Sequence, residues 1–111
     1  ISGGSTAKRA DPQEVAERTI ECFKRALPAS VPGIVFLSGG EPDDSVTANL
    51  NALNQQAAAA NTPWEFSFSF GRSLQGAPLA AWAGKTENTE AAALAFYTRT
   101  KLTGAARKGA A

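Results

Sequence analysis

Phe66-Ser67-Phe68-Ser69-Phe70-Gly71-Arg72-Ser73 decides how the chain folds. Successive side chains of a strand point to opposite sides, so the three phenylalanines share one face and the two serines the other. A strand is expected over 65–70. At Gly71 the alternation stops and helical spacing begins, which predicts a helix over 73–83, broken near Gly76-Ala77-Pro78. A strand that ends at glycine and opens onto a helix start brings free backbone N–H groups, a positive dipole end and the Arg72 guanidinium to one spot. Those are the parts of an anion site, most plainly one for phosphate.

The same grammar recurs upstream. Gly33-Ile34-Val35-Phe36-Leu37 is a continuous apolar run followed directly by Ser38-Gly39-Gly40. It reads as a strand over 34–37 covered on both faces, as in parallel sheets flanked by helices. Between the two strands Val46, Leu50 and Leu53 recur at helical spacing to about Gln56, behind the acidic start Glu41-Pro42-Asp43-Asp44, a solvated helix N-terminus. The unit is therefore βαβ, with both strand ends pointing the same way.

Working outward, Asp11, Pro12 and Glu14 form a capping-box start, and a helix over 12–27 ends on Lys24, Arg25 and the stop Pro28. Its face Val15, Thr19, Ile20, Cys22, Phe23, Ala26 and Leu27 requires burial, which makes Cys22 an inert buried thiol. Residues 57–62 read as a small-residue loop. Trp64 and Trp82 read as packing residues. A last helix over 88–102 carries Leu94, Phe96, Tyr97 and Leu102 and stops at Gly104. The domain is expected over 1–104, and 105–111, with nothing to bury, as a mobile tail.

Composition narrows the function classes. The chain has 111 residues, 43% of them apolar, with 11 Lys plus Arg against 10 Asp plus Glu. A net charge of +1 supplies no field for nucleic acid or for a membrane surface, and no apolar run reaches the roughly 20 residues of a membrane span. The single cysteine and the absence of histidine remove a disulfide framework and the usual zinc ligands. With no methionine anywhere, Ile1 is not read as a translation start; either the chain has been processed or something upstream is missing. The phenylalanines lack basic interleaving, so they read as core and not as a base-stacking platform.

Four blocks in order carry a family resemblance: residues 31–40 with Ser38-Gly39-Gly40, then Asn49-Leu50-Asn51-Ala52-Leu53-Asn54, then Phe68-Ser69-Phe70-Gly71-Arg72-Ser73-Leu74-Gln75, then Ala81-Trp82-Ala83-Gly84-Lys85. Together with the Asp11 to Arg18 segment they resemble the C-terminal part of class I fructose-1,6-bisphosphate aldolase over about 7–104. The resemblance implies an α/β fold: the last two strand–helix units of a TIM (β/α)8 barrel plus C-terminal helices, incomplete as a barrel on its own. It implies a lyase of glycolysis and gluconeogenesis that splits fructose 1,6-bisphosphate into dihydroxyacetone phosphate and glyceraldehyde 3-phosphate through a lysine Schiff base, without cofactor or metal. Barrels often bind phosphate after their seventh and eighth strands, where the two glycine loops would fall.

Carried over position by position, Ser38, Gly39, Gly40, Ser69, Gly71 and Arg72 would hold the C1 phosphate. From the residues alone Ser69 is either ligand contact or barrel filler, and Ser67 filler. Phe70 stands where the family has Tyr. The family's Leu-Lys-Pro-Asn-Met-Val-like lysine strand has no counterpart here, and neither has its C-terminal Tyr. Lys8, Lys24, Lys85, Lys101 and Lys108 are expected in loops, at helix ends or on polar faces, unsuited to forming a Schiff base. The implied partners are sugar phosphate and the remainder of the barrel or another protein chain, in a family commonly homotetrameric. The compartment would be cytoplasm or, alternatively, plastid stroma. A second reading makes the chain an aldolase-derived, non-catalytic structural subunit of a larger assembly.

Overall fold

Asp11 accepts from the Glu14 N–H at 2.9 Å, and this cap starts α1, Pro12–Ala26. The computed structural model describes residues 2 and 5–111. After α1 come β1 (Gly33–Phe36), α2 (Asp43–Ala60), β2 (Glu65–Phe68), α3 (Arg72–Trp82), a 3-10 turn (Thr86–Asn88) and α4 (Thr89–Arg107). The strands pair in parallel, Gly33 with Glu65 through Phe36 with Phe68, and a Ser69 N–H to Phe36 carbonyl bond of 2.8 Å continues the ladder. The expected βαβ unit is present, and both glycine loops leave the same end of the sheet.

Aromatic side chains join α1 to the sheet. The Phe66 ring lies 5.9 Å from Phe23, 6.0 Å from Phe36 and 6.4 Å from Trp64. Phe66 is 1% exposed, and Ala16, Ile20, Ala52, Leu53 and Ala57 close the core around it. Trp64 also donates its Nε1–H to the Pro28 carbonyl at 2.8 Å, which satisfies the buried indole. Phe68 and Phe70 are half-buried, with rings 5.4 Å apart.

Several expectations are corrected. The strands end at Phe36 and Phe68, and α2 runs on to Ala60, because an alanine run has the highest helix propensity. Pro78 does not break α3; it forfeits its own N–H bond, and the helix continues to a left-handed Ala83. β1 is covered on one face only: Val35 is 62% and Leu37 73% exposed. Cys22 is exposed, because it falls beside the buried Ala16 and Ile20 stripe of α1 and not on it. Trp82 is exposed as well.

The largest correction concerns α4. Leu94, Phe96, Tyr97 and Leu102, the large apolar residues singled out on this helix, are exposed, whereas Arg99, Thr103 and Ala106 are buried. Close approach to α2 and α3 selects small side chains at 3–4 residue spacing in place of large ones. The helix passes through Gly104 to Arg107, so residues past Gly104 do find something to bury. Asn54 and Gln55 of α2 donate to the Ala106 and Gly109 carbonyls, both at 3.1 Å, and Asn51 accepts from the Ala111 N–H at 3.0 Å.

Thr103 Oγ1 is buried without a hydrogen-bond partner among the described residues. An orphaned buried hydroxyl costs about 1–3 kcal/mol, so Thr103→Val is expected to raise stability by about 1 kcal/mol. The urea midpoint of the complete polypeptide checks this; a lowered midpoint would mean that the hydroxyl is satisfied after all.

Candidate functional site

Two loops at the C-terminal ends of the parallel strands carry the candidate site residues. The first turns sharply at Gly39 and Gly40, with φ of 65° and 79°, backbone that side chains with a Cβ rarely adopt. Ser38 before them is buried, and its carbonyl accepts from the Glu41 N–H at 3.2 Å. The second loop passes from the exposed Ser69 through Phe70 to Gly71, the N-cap of α3. Gly71 has φ −101° and open space where a Cβ would stand, so neither strain nor crowding demands glycine there.

The two loops meet through Arg72. A Cβ on Gly40 would lie 3.4 Å from both Nη1 and Nη2 of Arg72, so the guanidinium rests against the bare glycine backbone. Arg72 is exposed, and among the described residues no carboxylate pairs with it. The N–H groups of Gly39, Gly40, Gly71 and Arg72 meet no backbone acceptor among the described residues. Neither α2 nor α3 receives a side-chain hydrogen bond from its N-cap residue. Unpaired N–H donors at positive-φ glycines, a helix N-terminus and a planar guanidinium are suited to binding an anion.

Of the six residues singled out in the sequence, the structure joins Gly40 and Arg72 directly and ties Ser69 to β1 through its main chain. No backbone hydrogen bond links Ser38 to Ser69, Gly71 or Arg72 among the described residues. Nearby, the carboxylate of Glu41 pairs with the Arg9 guanidinium, which offsets a negative charge beside the first loop. A cleft lined by Val15, Phe36, Leu37, Val46, Leu50 and Phe70 runs beside Ser38. All the lysines, at 8, 24, 85, 101 and 108, are exposed.

Sequence reasoning passed over Arg99. Its Nε donates to the Ser73 carbonyl at 2.8 Å, and Nη2 donates to Ser73 Oγ at 2.8 Å, Thr47 Oγ1 at 3.0 Å and the Asp43 carbonyl at 3.3 Å. Asp43 Oδ2 lies 3.6 Å from Nε. The signal was present as a stripe of Ala92, Ala95, Arg99, Thr103 and Ala106, small residues at helical spacing interrupted by one arginine.

A parallel βαβ unit with a glycine loop and an arginine at its strand ends is the architecture of α/β proteins, with a candidate anion site where such folds place their ligands. The family model described as Glycolytic, fructose-bisphosphate aldolase class-I, matches residues 1–111, and the chain belongs to that family. It is 48% identical to fructose-bisphosphate aldolase B of Sparus aurata, over 96% of this chain and 29% of the relative. With the cytoplasmic isozyme 2 of Pisum sativum it shares 46%, over 98% of this chain and 30% of the relative. A solved structure of the Plasmodium falciparum aldolase, in complex with TRAP and a small-molecule inhibitor, superposes with a TM-score of 0.89 at 34% identity, over 99% of this chain and 31% of that one. The chain thus spans about three tenths of the length of the proteins it matches.

Proposed function

We propose that the chain supplies the phosphate-binding end of a class I fructose-bisphosphate aldolase. Ser38, Gly39, Gly40, Ser69, Gly71 and Arg72 hold the C1 phosphate of fructose 1,6-bisphosphate and the phosphate of dihydroxyacetone phosphate. The observation that carries the reading is the Arg72 guanidinium lying against Gly40, which unites the two strand-end loops. β1 and β2 act as the last two strands of a (β/α)8 barrel, and the exposed face with Val35 and Leu37 is where the remaining strands pack. Similarity to cytoplasmic isozymes favours the cytoplasm.

In this role the chain's own residues bind and orient. Holding the phosphate fixes the distance from it to the substrate carbonyl, so that an amine from outside this chain meets that carbonyl in a reactive geometry. The exposed lysines of this chain do not provide that amine. Material isolated from its source without unfolding, given dihydroxyacetone phosphate and then borohydride, is expected to show a triose phosphate adduct by intact mass. The adduct should fall on the family's lysine strand, in a longer form of this polypeptide or in a co-purifying chain. If no chain gains that mass while this one stays associated with other proteins, the enzymatic reading fails and a structural role replaces it.

A further inference from the structure

We infer that Arg99 is a positioning residue for phosphate, fixing the first turns of α2 and α3 to one another and thereby the approach of Gly40 to Arg72. The inference rests on the phosphate reading above. Arg99 comes from α4, outside both loops, and is only 7% exposed. Its acceptors are Asp43 and Thr47 in the first turns of α2 and Ser73 at the start of α3. Asp43 follows Gly40 by three positions, and Ser73 follows Arg72 directly. One guanidinium therefore grips the backbone immediately behind each half of the site.

Electrostatics makes that placement unusual. A cation at a helix N-terminus faces the positive end of the dipole, and here it faces two of them. Burial adds a desolvation penalty that an apolar side chain would avoid. The Asp43 carboxylate and the four acceptors offset the penalty, but the simplest packing solution was a hydrophobic residue. What the guanidinium supplies instead is a rigid fork that satisfies acceptors on two helices at once, which lysine cannot reproduce.

The test uses the complete polypeptide that carries these residues, titrated with inorganic phosphate by calorimetry beside the KM for fructose 1,6-bisphosphate and the thermal midpoint. Arg99→Lys keeps the charge and loses the fork; Thr47→Val deletes one acceptor at nearly constant volume and leaves all charges in place. Displacing groups that hold a ligand degrades binding steeply, so Arg99→Lys is expected to raise the phosphate Kd and the KM together by about tenfold. Thr47→Val should raise both by about threefold, since one of several bonds in the fork is lost. Should Arg99→Lys fail to fold, Thr47→Val decides. If the variants lose thermal stability but keep the native Kd and KM, Arg99 is a structural brace only and the inference is overturned. A native protein that binds no phosphate, indistinguishable in the titration from Arg72→Ala, overturns the phosphate reading itself and this inference with it.

Discussion

Arg72→Ala is expected to raise the KM for fructose 1,6-bisphosphate by on the order of a hundredfold in the complete polypeptide. A hydrogen bond to a charged group contributes about 1.5–3 kcal/mol, and a guanidinium that grips phosphate through two donors loses at least the upper value, near a factor of 100. Arg72→Lys should recover part of the loss, because a point charge remains while the planar fork does not. Stability should hardly change. The side chain is exposed, and among the described residues it pairs with no carboxylate. Steady-state kinetics with thermal melts beside them separate the two effects. A KM within twofold of native would remove Arg72 from the site.

Phe66→Ala is expected to destabilise the protein by about 4 kcal/mol, through lost transfer energy and the cavity left behind. Its ring faces Phe23, Phe36 and Trp64, so one deletion strips α1, β1 and the approach to β2 of their common contact. Against a whole-protein stability of about 5–15 kcal/mol the loss is large enough to depress the folded population at physiological temperature. Urea unfolding of the complete polypeptide measures it. A loss below about 1 kcal/mol would mean that the aromatic cluster does not hold the sheet to its helices.

The strand with its buried Phe66 and the two strand-end loops were legible in the sequence, for different reasons. Phe66 stood in a period-two run, and a pattern that alternates over several residues identifies a strand and its buried face. Ser38-Gly39-Gly40 and Gly71-Arg72 were legible because glycine after an apolar run marks a strand end, and the family blocks then placed the two loops together. The capped start of α1 was read from Asp11, Pro12 and Glu14 alone, since those residues act locally.

Long-range packing was less legible. The large apolar residues of α4, Leu94, Phe96, Tyr97 and Leu102, are all exposed. The helix instead packs through Ala106, Thr103 and Arg99 against α2 and α3, a choice set by interhelical distance and hydrogen-bond supply that its own sequence does not display. The same gap hid the docking of residues 105–111 on α2, where Asn51, Asn54 and Gln55 supply the partners. Covering of β1 was misjudged because a continuous apolar run reports two faces that must be buried, and the described residues cover only one of them.

The most direct test of the central claim follows the backbone amides of Gly39, Gly40, Gly71 and Arg72 by nuclear magnetic resonance while inorganic phosphate is added to the complete polypeptide. If the two loops form one cradle, all four resonances shift along a single saturable curve, and Arg72→Ala flattens it. Amides that stay in place at saturating phosphate, or that move in one loop and not in the other, would contradict the account.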